Sequence, residues 1–394
     1  MDQQNIVITS TGCITALGNS LDAIATGLAA PPVVSSARTF EFHELPAETP
    51  CFRVTSYDPA EVLGKKGLRL KDWSTKLLLG ALELGFKDRY EGTAEEERPG
   101  ICIGTAFGSV ESIGDFLSDS IVGGVNHVNP QLFANTVINS PTGNANIRFT
   151  VRSLSTTIAT GFNAGLDAII YACDYIKNGY LEAILTGGIE EVSYYGLVGL
   201  LRSGALSKGA AVRPFASDAD GTVAGEGCAL FMLETEESAR SRGATVIAQI
   251  AGTGSTFDPD GFDGDGEACG RAMSMACDMA GIEPARAGFI AASANGNRAG
   301  DRTEAAAIRK IFGDTPVAAY KTKTGECYGA SPAITLACAL ADMKNGRITG
   351  TGTTYQPVSG INLVSQTRKA AVEYVVVNAC SCDGNNSCVV LKNR

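Results

Sequence analysis

Along the chain, short runs of consecutive apolar residues end at glycine or a polar turn and alternate with longer stretches of helical periodicity. The runs at 6–10, 100–105, 156–160, 183–186, 228–233, 288–292, 374–378 and 387–391 predict strands. Most are unbroken Val, Ile, Leu and Ala rather than apolar–polar alternations, which is the pattern of sheets covered on both faces. Helical spacing predicts helices over 74–86, 164–178, 267–280, 304–312 and 332–345. The greasy stretch 329–340 falls short of the roughly 18 residues that a membrane helix needs and reads as a buried helix. The class is α/β, with helices over the sheets.

The two parts of the chain echo each other. A strand at 156–160 passes through a glycine turn into a long helix ending Lys177-Asn178-Gly179, followed by a strand, the Gly-rich stretch 218–227 and a last strand. Further on, a strand near 316–320 leads through GECYGAS into a long helix ending Lys344-Asn345-Gly346, then a strand, the sequence CDGNN and a last strand. This predicts a duplicated unit with its break near 243–256, dividing the chain into 1–245 and 246–394. No Gly/Ser/Pro linker separates the halves, so they are expected to pack as one body.

Composition narrows the function. Hydrophobic residues make up 44% and charged residues 19%, enough apolar content for a sizeable core. The formal charge of −10 disfavours nucleic acid as a partner. The N-terminus has no basic stretch followed by an apolar one, so no signal peptide is expected and a cytoplasmic location follows. Twelve cysteines are present without a CxxC pair; Cys228, Cys338 and Cys388 lie in apolar runs like buried thiols, and neither a metal nor a cofactor is expected. Only two histidines occur, His43 and His127, both read as surface or structural. The DGTVAGEG stretch at 220–227 lacks the Lys-Ser/Thr of a phosphate-binding loop and reads as a turn.

A strand that feeds a helix through a tight turn holds one residue at the helix N-terminus, where the dipole favours a thiolate or an oxyanion. In TTIATGFNAGLDA that residue is Phe162, which has neither a nucleophile nor a proton to give. It is either an ordinary core residue or a plug in a reactive position.

Nearly the whole chain resembles the β-ketoacyl synthase branch of the thiolase fold. The opening IVITSTGCITALGNSLD and the collinear segments KKGLRLKDWSTKLLL, GTAFGSVESIGDF, VNPQLFANTVINSPTGNANI and RPFASDADGTVAGEG carry the likeness. The resemblance implies a duplicated α/β/α/β/α layered fold with mixed five-stranded sheets. It also implies a family that condenses acyl groups on acyl carrier protein with one Cys and two His. Matched residue by residue, that set is missing. Phe162 of TGFNAGLDA stands at the family's cysteine, Asn295 of Ala294-Asn295-Gly296-Asn297 at its first histidine, and Glu326 of KTKTGECYGA at its second. Lys321, Gly325, Asp301 and Glu304 are retained, whereas in the terminal glycine motif only Gly384 and Asn386 survive and Cys382 replaces the gating aromatic.

Without a thiolate no acyl-enzyme forms, and an ionised Glu326 would repel an enolate. The family's cysteine-less paralogues are chain-length factors, and this chain resembles them. The resemblance implies a heterodimer with an active ketosynthase, strand 156–160 pairing across the interface, and a carrier protein delivering the acyl chain in type II polyketide or polyene synthesis. It departs from the aromatic-polyketide subgroup, whose plug is commonly glutamine, and points towards an aryl-polyene-like branch. Tunnel-wall residues are expected from 108–117 and 132–138, with Ile113, Phe116 and Phe133 as candidates, and core packing as the alternative for each. Lys65, Lys66, Arg69, Lys71 and Lys76 form either a carrier-docking patch or a solvated helix face. Two rival functions stay open: an active condensing enzyme using Cys327 or Cys382, and a stand-alone acyl-binding protein.

Overall fold

The computed structural model describes residues 4–36, 49–352, 355–358 and 360–394. His43 lies outside them. Ten strands form one sheet: β1 (Ile6–Thr15), β2 (Gly100–Gly104), β3 (Ser155–Ile158), β4 (Ala183–Glu190), β5 (Gly227–Thr235), β6 (Ala248–Phe257), β7 (Phe289–Ala291), β8 (Val317–Ala318), β9 (Tyr374–Cys380) and β10 (Asn385–Asn393). Their spatial order is β8-β7-β9-β10-β6-β1-β5-β4-β2-β3.

The order is two copies of one five-stranded pattern. Numbering strands within each half, both read 3-2-4-5-1, with strands 3, 2 and 4 mutually parallel and strand 5 antiparallel to both neighbours. The mixed five-stranded halves meet where β1 pairs with β6 over Ile6–Ile250, Val7–Gln249 and Ile8–Ala248. The stretch 243–256, read from sequence as a break, is therefore mostly strand. Its first residues do turn, but Ala248–Phe257 is needed as the partner of β10.

The longer helices among the described residues are α1 (Leu21–Ala29), α2 (Trp73–Glu91), α3 (Val110–Gly123), α4 (Ser140–Phe149), α5 (Ala164–Lys177), α6 (Tyr194–Ser203), α7 (Glu267–Ala280), α8 (Arg298–Phe312) and α9 (Ser331–Lys344). Helix α2 packs on β1 and β5 outside one half, and α7 packs on β6 and β10 outside the other. Between them lie α5, which touches β2, β4 and β10, and α9, which touches β4, β5 and β9. Each inner helix thus meets strands of both halves, giving the layered α/β/α/β/α arrangement. Helix α9 is buried from Ser331 to Met343, the outcome the apolar run predicts. The two inner helices approach closely because Gly165 faces the backbone; a Cβ there would sit 2.6 Å from the Gly329 carbonyl oxygen.

Three departures from the sequence reading have local causes. Helix α8 begins at Arg298 rather than 304, because Asn297 caps it by accepting from the Ala299 and Gly300 amides at 3.0 and 3.1 Å. The polar first turn RAGD conceals that start. Strand β3 stops at Ile158, two residues short of expectation, as Thr160 turns aside and its hydroxyl donates to Asp167. The 220–227 segment is more than a turn: Ala224–Gly225 pairs in parallel with Cys51 and Phe52, and buried Glu226 accepts from the Val54 amide and the Trp73 indole at 3.1 and 3.0 Å.

Candidate functional site

The site lies at the N-terminal ends of the two inner helices. Gly161, at φ +73°, makes the turn that lifts Phe162 clear of β3 before α5 begins. The elbow is tied to the other half of the chain. Asn163, itself buried, donates through Nδ2 to the Ala379 and Asn385 carbonyls at 3.1 and 2.8 Å and to Ser387 Oγ at 3.2 Å. Phe162 is half-buried in an aromatic cluster, edge-on to Tyr328 at 5.3 Å between centroids and to Phe107 at 6.4 Å, with Phe107 and Tyr328 4.9 Å apart. These contacts favour an edge-to-face cluster on dispersion and quadrupole grounds alike.

Beneath the ring runs a charge-balanced polar network. Glu326 is 1% exposed and uses both oxygens. Oε2 accepts from Lys321 Nζ at 2.8 Å and Asn295 Nδ2 at 2.6 Å; Oε1 accepts from the Tyr328 amide at 2.9 Å and Ser331 Oγ at 2.6 Å. Lys321 is buried too, with 6% of its side chain exposed. Such a pair persists because hydrogen bonds satisfy the carboxylate's remaining lone pairs. Asn295 is held in turn by Asp301, whose oxygens accept from the Asn295, Gly296 and Phe215 amides at 3.0, 3.1 and 2.7 Å. Burial pushes the Asp301 carboxyl up to about 7, against the pull of those amides.

The four residues singled out from sequence, Phe162, Asn295, Glu326 and Lys321, therefore converge, the last three by direct hydrogen bonds. Phe162 and Asn295 face each other across a crevice also lined by Phe262, Ser293, Glu304 and Cys380, with a volume of about 10 Å³. That is the threshold for a single water and leaves no room for an acyl chain.

Sequence reasoning missed four contributors. Phe107, in GTAFGSVESIGDF, and Tyr328, in KTKTGECYGA, complete the aromatic cluster; neither stands at a matched catalytic position, so only their aromatic character could have pointed to them. Glu190, fully buried at the end of β4, accepts from Thr105 Oγ1 at 3.1 Å and from the Ala106, Phe107 and Gly329 amides at 2.7, 3.2 and 3.2 Å, fixing the loops that carry those rings. Burial raises its carboxyl to about 7. The thiol on the crevice is Cys380, whereas Cys382, expected near the old pocket, is exposed on the following turn. Cys327 is fully buried, and desolvation, followed by the Glu326 charge, raises its thiol well above the ordinary value. Partial desolvation, followed by the Asp383 charge, raises the Cys382 thiol despite its place at the surface.

The tunnel candidates occupy the chain's surface. Ile113 and Phe116 are half-buried on α3, and Phe133, 61% exposed, lies against Phe116 with ring centroids 5.9 Å apart. No residue of α3 is buried. Ile121 and Val122 are 82% and 85% exposed, and Leu117, Val125, Val137, Ile138 and Ile147 extend the apolar surface. Strand β3, an edge of the sheet, pairs among the described residues with β2 alone. Of the basic residues, Lys65, Lys66 and Arg69 are exposed while Lys71 donates to Asn144 Oδ1, so the run does not make one helix face. His127 is exposed.

A duplicated five-stranded mixed fold with a glycine elbow at the head of an inner helix defines the thiolase-like ketosynthases. The family model described as β-ketoacyl synthase, N-terminal domain, matches residues 68–239, and its C-terminal domain model matches 247–353. The chain belongs to the β-ketoacyl synthase family. It is 28% identical over 410 residues to 3-oxoacyl-[acyl-carrier-protein] synthase 2 of Coxiella burnetii, covering 99% of each chain. It is 35% identical over 264 residues to the tetracenomycin polyketide synthase ketoacyl synthase beta subunit of Streptomyces glaucescens, covering 64% of each. Among solved structures, the ishigamide ketosynthase/chain length factor superposes with a TM-score of 0.92 at 25% identity, covering all of both chains. Among the described residues no helix is long and apolar enough to cross a membrane.

Proposed function

We propose that this chain is a chain-length factor: a ketosynthase-family subunit without condensing activity that pairs with an active β-ketoacyl synthase and bounds the space into which the partner's acyl chain grows. The observation that carries the reading is the closed site. An aromatic ring fills the elbow, and the two positions matched to the family's histidines are bonded to each other as Asn295 Nδ2 and Glu326 Oε2. Acyl transfer needs a thiolate near the elbow, and the nearby thiols are either desolvated or displaced onto an outer turn.

The partner is proposed on the apolar surface of α3 and its neighbours and on the open edge of β3. Exposed apolar residues in this number are a sign of an interaction surface, and an edge strand offers unpaired backbone groups to a second sheet. The relative named as a ketosynthase/chain length factor supports a partner that is an active ketosynthase, and acyl carrier protein is the proposed donor of its substrate. The halves 1–245 and 246–394 are proposed as one body within that heterodimer, with Phe116, Ile113 and Phe133 at the shared wall.

The test is to incubate the purified chain with acyl carrier protein bearing a thioester-linked acyl group, alone and with a candidate ketosynthase, and to follow intact mass and elution volume. The expected result is an unmodified chain and a stable one-to-one complex. An acyl adduct on Cys327 or Cys382 of the isolated chain would establish condensing chemistry instead. A homodimer indifferent to ketosynthases but retaining acyl groups non-covalently would establish an acyl-binding protein.

A further inference from the structure

Of the twelve cysteines, Cys269 and Cys380 stand apart. Their sulfurs lie 2.9 Å from each other, joining α7 to the end of β9. A disulfide needs about 2.05 Å, so an approach of about 0.9 Å closes the bond. Asn378 Nδ2 points at the pair, 3.1 Å from Cys380 Sγ and 3.6 Å from Cys269 Sγ, while also donating to Glu304 Oε1 at 2.6 Å. That amide favours negative charge on the Cys380 sulfur, against the Cys269 thiol, burial and the Glu304 charge, which together raise the Cys380 thiol well above its ordinary value. Cys269 is sealed from solvent, whereas Cys380 forms part of the crevice beside Phe162. Cys380, 8% exposed, is thus the member of the pair nearer that water-sized space, and Cys269, 1% exposed, sits behind it.

We propose that Cys269 and Cys380 are a reversible dithiol–disulfide site, oxidised by a small hydroperoxide that reaches Cys380 through the crevice, and that the bond clamps the turn supporting the Phe162 elbow. In the first step Cys380 sulfur attacks the peroxide's O–O bond. It forms Cys380–SOH, and the thiol proton departs with the second oxygen as water when the oxidant is hydrogen peroxide. In the second step Cys269 sulfur displaces the hydroxyl, which leaves with the Cys269 proton as water, so two thiols and one peroxide give one disulfide and two waters. A dithiol reductant reverses the reaction.

The mechanical consequence follows from the neighbours. Cys380 is followed by the turn 381–384, and a Cβ on Gly161 would lie 2.1 Å from Asp383 Oδ2, so that turn presses directly on the elbow. Strand β9 also provides the Ala379 carbonyl that holds Asn163. Linking its end to α7 removes the freedom of the segment on which Phe162 rests. The inference stands on the sulfur geometry alone and does not depend on whether the chain pairs with a ketosynthase.

The test treats the full native chain with hydrogen peroxide, quenches it, unfolds it in an alkylating agent and maps peptides without reduction. The expected result is ten alkylated cysteines in place of twelve, a mass lower by about 2 Da before alkylation, and a linked peptide pair containing Cys269 and Cys380. Dithiothreitol should restore both thiols. Hydrogen exchange on the oxidised chain should slow over 378–386 and 161–163. Twelve alkylated thiols, a link between other cysteines, or oxidation halting at sulfinic acid on Cys380 would overturn the proposal. Cys382→Ser, on the exposed turn, should leave the reaction intact, and Cys269→Ser should abolish the link. Mapping the unaltered chain decides the matter even if Cys269→Ser folds poorly.

Discussion

Glu326→Ala tests whether the polar network under Phe162 holds the closed site together. The substitution leaves the Lys321 ammonium buried without the acceptor now 2.8 Å away. Removing one partner of a buried pair costs about 3–5 kcal/mol, most of it the stranded charge. Lys321→Met should cost less, about 2–3 kcal/mol, because Glu326 keeps charge-assisted bonds from Asn295, Tyr328 and Ser331. In the double variant neither charge is stranded, so its cost should fall at least about 1 kcal/mol below the sum of the two. At about 2.1 cal/mol/K per residue, 394 residues unfolding as one unit give an entropy near 0.8 kcal/mol/K, so Glu326→Ala should lower Tm by about 4–6 °C. Scanning calorimetry at neutral pH measures all three variants. A Glu326→Ala melting point within a degree of the parent, or strict additivity in the double variant, would show that the network does not stabilise the site.

Stability should also depend on pH in a definite direction. Glu190 and Asp301 have carboxyls raised to about 7 in the folded chain, so between the ordinary carboxylate range and pH 7 the folded state binds more protons than the unfolded one. Stability must then fall as pH rises from about 5 to about 7. The carboxyls held low by hydrogen bonds and cations, Glu83 and Glu234 among them, act with the opposite sign below that window. Urea midpoints rising between pH 5 and 7 would contradict the burial assigned to the pair. Ile121→Asp should weaken the proposed heterodimer at least about tenfold, worth about 1.4 kcal/mol, while leaving the melting point of the isolated chain unchanged because the side chain is already in solvent; an unchanged Kd by calorimetry would move the interface elsewhere. In the reconstituted complex Phe116→Ala should lengthen the products read by mass spectrometry, and an identical product profile would take Phe116 off the shared wall.

Most strands were legible in the sequence because both faces of each half-sheet are covered, which leaves apolar runs such as ICI in β2, CALFML in β5, YVVV in β9 and CVVL in β10. Strand β6 escaped notice for the converse reason: its sequence AQIAGTGSTF is polar and glycine-rich, and its place is set by β10 and β1 on either side. Helix α3 was not legible as a helix either. Within the chain it meets α6 and the turn carrying Phe133, yet none of its residues is buried, so its apolar face is only partly covered by the fold.

The same physics explains why the closed site was half-legible. Motif matching located Phe162, Asn295, Glu326 and Lys321, because each sits at a fixed offset from glycines that a turn or a close approach requires. Matching could name what was missing at those positions but not what replaced it. The replacement is cooperative: Glu326 draws Lys321, Asn295, Ser331 and the Tyr328 amide to a single carboxylate, and Tyr328, held at φ +47°, turns its ring onto Phe162. Residues from three segments distant in sequence share these contacts, and no periodicity records such a convergence. A site that had merely decayed would leave buried polar atoms without partners around the lost chemistry, at about 1–3 kcal/mol each. Three such atoms do lie around it, Asn163 Oδ1, Glu304 Oε2 and Ser381 Oγ, but at its centre Glu326 accepts four hydrogen bonds. That degree of satisfaction argues that the closed arrangement is itself the structure on which the fold at this position depends.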